Sequence, residues 1–313
     1  MNILVTGGYG FIGSNFINFI AKKDEVKQIL NIDSMTYASN KNNIADNSKI
    51  VPTSPLDIRE TLFISKLLDA QQITHIVHFA AESHVDNSIN GPETFINTNI
   101  NGTFSLLEAA KQYGKLERFH HVSTDEVYGS LGPIGFFKES TPYNPRSPYS
   151  ASKAASDHLV NAYHYTYGLN TTISNCSNNY GPNQHTEKLI PKIITNLKQN
   201  KKIPIYGTGQ NVRDWLYVED HCEAIWKILL KGKSGDTYNV GGDCEMNNLQ
   251  IAKVICKLLG KDHEEYIEFV EDRKGHDFRY AIDFSKINNE LGWLPKTSFE
   301  SGLKKTIDFY STQ

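Results

Sequence analysis

The stretch Ser123-Thr124-Asp125-Glu126-Val127-Tyr128-Gly129 sets a hydroxyl and two adjacent carboxylates where the apolar run 118–123 (RFHHVS) stops. Neighbouring residues on a strand point to opposite faces, so both acids serve one site only if the strand ends at that point. Two close carboxylates push their proton affinities apart, which leaves one charged and able to take a proton and the other neutral and able to give one. A solvated loop or a helix cap is the plain alternative for a bare acid pair. The second set is Tyr149 and Lys153, a Y-x-x-x-K pair within PYSASKAASDHLV. On a helix these side chains lie one turn apart on one face. A Lys ammonium beside a phenol favours phenolate and lowers the Tyr pKa, so the phenol can take a proton from an alcohol while a hydride leaves the carbon. Taken alone, the pair also fits a surface Lys near a packed Tyr.

Such chemistry needs a hydride acceptor, and the N-terminus supplies a place for one. Gly7, Gly10 and Gly13 follow the run 2–6 (NILVT) and open a helix-like segment, Ser14–Ala21. Glycines at this spacing allow a tight turn, close approach of a pyrophosphate and close helix–sheet packing, and the helix N-terminus offers free amides to the phosphates. Asp33 ends the next strand-like run, 28–32, 20 residues past Gly13, where a carboxylate can accept both ribose hydroxyls. Ser34 follows, and no Arg stands there to meet a 2′-phosphate, so NAD is expected as cofactor rather than NADP.

The elements that must hold these residues alternate along the chain. Strand-like runs at 2–6, 28–32, 73–80, 118–123 and 171–176 are separated by helical spacing at 60–70, 95–113 and 150–167. This alternation predicts an α/β fold, a Rossmann-type doubly wound parallel sheet. After residue 177 Pro and Gly become frequent and the alternation loosens. Residues 1–176 are therefore read as an NAD-binding domain and 177–313 as a smaller, interwoven substrate lobe, with some segments returning to the first domain. The polar patch Ser39–Lys49 reads as a surface loop. A net charge of −3 in 313 residues gives no support to nucleic-acid or membrane-surface binding, and no apolar run is long enough to span a bilayer. The N-terminus lacks the features of a signal peptide, and Cys176, Cys222, Cys244 and Cys256 have no C-x-x-C spacing; both point to reduced thiols in the cytoplasm. The pairs His75/His78 and His120/His121 lie in or beside strand-like runs without a metal-ligand set, so structural or substrate-facing roles are expected.

Beyond these patterns the sequence resembles the extended short-chain dehydrogenase/reductases, and within them the nucleotide-sugar 4,6-dehydratases, closest to the dTDP-glucose 4,6-dehydratases. The resemblance covers nearly the whole chain. Its carriers include TGGYGFIGSNF (6–16), FAAESHVDNSI (79–89), STDEVYGSLG (123–132), SPYSASKAASDHL (147–159), SNNYGP (177–182), EKLIP (187–191), NVRDWLYVEDH (211–221) and GHDFRYAID (275–283). It implies that Tyr149 removes the O4 proton of a sugar while NAD⁺ takes the C4 hydride. Glu126 then takes the C5 proton, Asp125 protonates the departing 6-hydroxyl, the hydride returns to C6, and Thr124 holds the sugar near O4. For NAD it implies Gly7, Gly10, Phe11, Ile12, Gly13, Asp33, Asp57, Ile58, Ala80, Ala81, Thr98, Tyr149, Lys153 and Asn179. For the nucleotide-diphosphate sugar it implies Ser83, Thr124, Asn178, Lys188, Leu189, Arg213, Asn248, Arg273 and His276. Arg213 has an alternative as a salt bridge to Asp214 or Glu219. A homodimer through the helices near 95–113 and 150–167 is also implied.

The acid pair separates this chain from relatives. By resemblance, 4-epimerases carry small residues at Asp125 and Glu126, decarboxylating members put Ser at Asp125, and inverting UDP-N-acetylglucosamine dehydratases put Lys at Glu126. A non-catalytic dinucleotide sensor would lose Tyr149 or Lys153, and both are present. The chain departs from the family pattern at Asn87, at Asn183–Thr186 and at Lys274. These departures leave dTDP and UDP, and glucose and N-acetylglucosamine, open as substrate parts, along with epimerisation at C5.

Overall fold

The computed structural model describes residues 1–51, 53, 55–273 and 275–312; Lys274, one of the family departures, lies outside them. The first half of the chain runs β1 (Asn2–Thr6), α1 (Phe11–Ile20), β2 (Gln28–Ile32), β3 (Ile50–Val51), α2 (Thr61–Ala70), β4 (His75–His78), α3 (Val85–Asn90), α4 (Pro92–Phe95), α5 (Gly102–Tyr113), β5 (Arg118–Thr124), α6 (Pro148–Tyr167) and β6 (Thr171–Cys176). The segment read as one helix over 95–113 is interrupted by a wide turn at Ile96–Asn101. Such turns recur at functional sites, and this one brings Thr98 to the pocket described below.

β1 shows why the sheet has helices on both faces. Ile3 and Val5 point one way and pack with Phe16, Ile17 and Ile20 of α1. Leu4 points the other way, among Ile64 and Leu68 of α2 and Leu106 and Leu107 of α5. A strand buried on both sides is apolar at every position, as parallel strands are. The seven strands, the last being β10 (Thr237–Val240), are parallel in the order β3-β2-β1-β4-β5-β6-β10, so the order reverses between β1 and β4. Ligands of such sheets sit in the crevice outside the strand C-termini at that reversal.

The remaining elements are β7 (Asn178–Tyr180), α7 (Leu189–Lys198), β8 (Ile203–Tyr206), β9 (Val212–Tyr217), α8 (Val218–Lys231), β10 (Thr237–Val240), β11 (Glu245–Asn247), α9 (Asn248–Leu258), α10 (His263–Tyr266), β12 (Ile267–Val270), α11 (Ser285–Leu291) and α12 (Phe299–Ser311). Some of them return to the first sheet: β10 pairs with β6, and Ile225 and Leu229 of α8 join the apolar layer of α1. The others form a second core, where Ile190, Ile194 and Leu197 of α7 meet Ile251 and Ile255 of α9 and Leu303 of α12. Two small sheets, β7-β9-β11 and β8-β12, edge that core.

Candidate active site

The glycine turn forms a cradle between β1 and α1. Gly7 has φ +68°, and a Cβ there would come within 2.7 Å of Ala80 Cα. A Cβ on Gly13 would sit 2.4 Å from the Gly7 carbonyl oxygen. The helix starts at Phe11, three residues earlier than its apolar spacing indicates, and no side chain among the described residues caps it. Its first amides therefore face the crevice free, where the positive dipole end favours a phosphate. Asp33 closes this end: its carboxylate accepts from the Tyr9 amide at 3.0 Å, the Met35 amide at 2.8 Å and the Ser39 hydroxyl at 2.7 Å. Gly7, Gly10, Phe11, Ile12, Gly13, Asp33, Asp57, Ile58, Ala80, Ala81, Thr98 and Asn179 all line one continuous pocket, and no Arg lines it among the described residues. A dinucleotide whose ribose carries free hydroxyls fits this lining; a 2′-phosphate would find no guanidinium.

The same pocket runs on to Thr124, Asp125, Glu126, Tyr149 and Lys153, and to Ser83, Asn178 and Lys188. β5 ends at Thr124, and the chain turns at once into a single 3-10 turn, Asp125–Tyr128. The Thr124 hydroxyl caps that turn by accepting from the Glu126 amide at 3.3 Å. Leaving the strand is what lets both carboxylates reach one site. Asp125 is buried and its Oδ2 has no hydrogen-bond partner among the described residues, whereas Glu126 is only partly buried. Burial, then Glu126, then Asp214, hold Asp125 well above the usual carboxylate range. Burial also raises Glu126, but Arg213, Lys188 and Arg273 oppose it in that order. Asp125 is thus the acid biased more strongly towards the neutral form, while Glu126, raised overall by burial, has three cations that favour its charge.

A capping box aims the phenol. Ser147 and Ser150 exchange hydrogen bonds at 3.1 and 3.0 Å across the first turn of α6, with Pro148 as its first residue. Tyr149 is thereby fixed beside β5, edge-on to Phe95 at 6.3 Å. Lys153 lies one turn on, and its ammonium donates to the Val122 carbonyl at 2.8 Å. The expected lowering of the Tyr149 pKa is not produced by the chain's own groups. Burial first, then the Glu126 charge, push it well above its ordinary value, and hydrogen bonding with Thr124 pulls it down.

Five residues expected to hold the sugar nucleotide stand outside the pocket lining: Leu189, Arg213, Asn248, Arg273 and His276. Leu189 and Asn248 open α7 and α9. Arg213 makes neither of the two salt bridges weighed for it. Its guanidinium donates to the carbonyls of Val212 at 2.7 Å and Asp277 at 3.0 Å and lies over the Tyr280 ring. Asp214 instead accepts from the amides of Gly242 and Cys244, and Glu219 pairs with Lys305. Arg273 is paired with Asp86 at 2.5 Å, and His276 with Asp272 at 2.7 Å. Lys188 donates to the Ser83 carbonyl at 2.9 Å, which ties the 184–188 segment to the loop after β4. His75, His78, His120 and His121 are all buried in β4 and β5; His78 meets Thr6 and Thr103, and His120 meets Thr172 and Ser174. Ser123, Cys176, Gln184, His185 and Glu187 also line the pocket, although the sequence assigned none of them a site role. The last three fall in or beside the 183–186 departure, whose position was the available signal.

A Rossmann-type sheet, an uncapped helix behind a glycine turn and an acid pair facing a Tyr–Lys pair define a dinucleotide-dependent enzyme of the dehydratase type. The chain belongs to the GDP-mannose 4,6 dehydratase family, whose match covers residues 4–306. It is 50% identical to a dTDP-glucose 4,6-dehydratase of Xanthomonas campestris over 99% of this chain and 93% of that one. With the enzyme of the same name from Haemophilus influenzae it shares 49% identity, over 99% and 98% of the two chains. Among solved structures, DesIV, a dTDP-glucose 4,6-dehydratase from Streptomyces venezuelae with NAD and TYD bound, superposes with a TM-score of 0.96. That match has 44% identity and covers 100% of this chain and 98% of DesIV.

Proposed function

We propose that this chain is an NAD-dependent nucleotide-sugar 4,6-dehydratase, a hydro-lyase of deoxysugar biosynthesis that converts dTDP-glucose to its 4-keto-6-deoxy product. The carrying observation is the acid pair: a buried Asp125 held well above the usual carboxylate range and a cation-flanked Glu126, in the pocket that holds Tyr149, Lys153 and the glycine cradle. The dTDP and glucose parts rest on the names of the relatives.

The cofactor, when bound, accepts hydrogen from C4 and gives it back at C6, so turnover consumes no net oxidant. Tyr149 takes the O4 proton, with Thr124 holding that oxygen and Lys153 supplying positive charge nearby. Once C4 is a ketone, the C5 proton is acidic because the carbanion spreads onto the ketone oxygen. Glu126 takes that proton, with Arg213, Lys188 and Arg273 opposing the rise that burial gives its carboxyl. Asp125, its carboxyl biased towards the protonated form, donates to the 6-hydroxyl as it departs as water, and Glu126 returns its proton to C5 as hydrogen arrives at C6. Ser83, Asn178, Lys188, Leu189, Arg213, Asn248, Arg273 and His276 are taken to line the sugar-nucleotide path. Arg273 must then exchange or share its contact with Asp86. Residues 1–176 bind the cofactor and 177–313 mainly the substrate. Ile96 and Phe104, with Tyr165 and Tyr167, are exposed on the helices expected to form a homodimer. Free cysteines suit the cytoplasm.

Mass spectrometry on a panel of dTDP- and UDP-linked hexoses tests this reading. The purified protein, without added cofactor, is expected to remove one water from dTDP-glucose. Unchanged sugars, or only isomers of equal mass, would refute it.

A further inference from the structure

Behind the Tyr149–Lys153 pair lies a buried polar cluster that the steps above do not use. Tyr149, Lys153 and Asp157 recur every fourth residue on α6 and form one stripe. His121 Nε2 stands between the last two, 3.4 Å from Lys153 Nζ and 3.3 Å from Asp157 Oδ1. Asp157 Oδ2 accepts from the hydroxyls of Ser123 and Tyr143, each at 2.9 Å. Asp157 and His121 are fully buried, and neither Asp157 Oδ1 nor His121 Nδ1 has a hydrogen-bond partner among the described residues.

A buried ammonium needs a counter-charge. Facing Lys153 are His121 from β5, His78 from β4, Cys176 from β6, and Asp157 from its own helix. Both rings are kept neutral by burial, and burial also keeps the Cys176 thiol protonated. Asp157 is the carboxylate left to balance Lys153. Around Asp157 itself stand Lys153 and His158 of α6, His121 and Ser123 of β5, and Tyr143 and Tyr128 from the segments after β5. Tyr128 continues the cluster through Asn175, which donates to both tyrosine oxygens.

We infer that Asp157 is a positioning residue: its charge, acting across the buried cluster, keeps Lys153 protonated and so sets the pH at which Tyr149 takes its proton. This rests on the dehydratase reading. Asp157 and Lys153 are coupled: burial raises Asp157 to about 6, with the Lys153 charge first among the effects that oppose it. Burial pulls Lys153 down, and the Asp157 charge leads what opposes that. Removing the Asp157 charge has two effects of opposite sign. Acting directly, loss of a nearby negative charge would lower the phenol pKa. Acting through Lys153, one turn along α6, it makes the ammonium lose its proton sooner, and loss of that positive charge raises the phenol pKa.

The sign is therefore the test. NADH formation from dTDP-glucose is followed in a single turnover across pH, using the protein with its cofactor. Wild type should form NADH; if it does not, the dehydratase reading falls, and this inference with it. Asp157→Asn should move the acid limb of the rate profile to higher pH by about one unit, a tenfold change in proton affinity. Asp157→Glu should move it most of the way back. A limb that stays in place or moves to lower pH in Asp157→Asn overturns the inference. Should Asp157→Asn fail to fold, Tyr143→Phe decides. It removes one donor from Asp157 while keeping the acid, so a smaller shift to higher pH supports the inference and an unmoved limb overturns it.

Discussion

Glu126→Gln separates the two halves of the reaction. Gln keeps the shape and loses both the charge and the basicity. Loss of a positioned general base lowers rate by about 10²–10⁴-fold, which corresponds to about 3–5 kcal/mol of barrier. That loss should fall on elimination alone. Oxidation at C4 uses Tyr149, and the Glu126 charge is the first electrostatic cause, after burial, that lifts the Tyr149 phenol. Its removal lowers the phenol pKa, so the acid limb of the oxidation step moves to lower pH. Stopped-flow absorbance on the variant mixed with dTDP-glucose should show NADH rising and then persisting, while product forms at least a hundredfold more slowly than in wild type. Wild type should hold little NADH in the steady state. A variant that turns over within tenfold of wild type, with no NADH accumulating, would refute the assignment of Glu126 as base.

Tyr149→Phe should retain its cofactor yet form NADH about 10²–10⁴-fold more slowly, since the group that takes the O4 proton is gone; single-turnover absorbance checks this. Gly13→Ala should purify with little NAD and lose roughly 1–3 kcal/mol of stability. Its Cβ would meet backbone at 2.4 Å (Gly7 O) and 2.9 Å (Gly8 Cα), so no side chain can give way; cofactor content and urea denaturation measure the two effects. His221 is buried, bonds the Asn179 side chain at 2.9 Å and is pushed down to about 3 by burial. Its unfolded form binds a proton first as pH falls below about 6.5, so its contribution is present at neutral pH and is lost on acidification. The stability advantage of wild type over His221→Asn should accordingly shrink by about 2 kcal/mol between pH 7 and pH 5, read from denaturant titrations at each pH.

The parts of this site that could be read from the sequence are those written within one local stretch. STDEVYG marks the end of β5 because an apolar run stops at polar residues, and the Thr124 hydroxyl then caps the following turn from two residues away. The glycine turn and Asp33 belong to one β–α–β unit, and Tyr149 and Lys153 to one helix turn. The start of α1 was misplaced by three residues because Gly13 is helical there, packed against Gly7 where no side chain fits. What could not be read depends on distant partners. Arg213 has acids beside it in sequence, but the fold turns it toward carbonyls of the 277–278 segment, while Asp214 turns to backbone amides. The Asp86–Arg273 pair joins positions 187 residues apart. The high proton affinity of the Tyr149 phenol is a product of burial, which the Y-x-x-x-K spacing does not encode. His121 and Asp157 lay inside quoted motifs yet meet only because α6 packs on β5.

In the proposed reaction, hydrogen leaves C4 and returns, within one molecule, to C6. dTDP-glucose carrying deuterium at C4 follows it directly. The product is predicted to hold the deuterium at C6 of the same sugar, as read by mass spectrometry and NMR. Deuterium still at C4, or absent from C6 of a dehydrated product, would contradict the account.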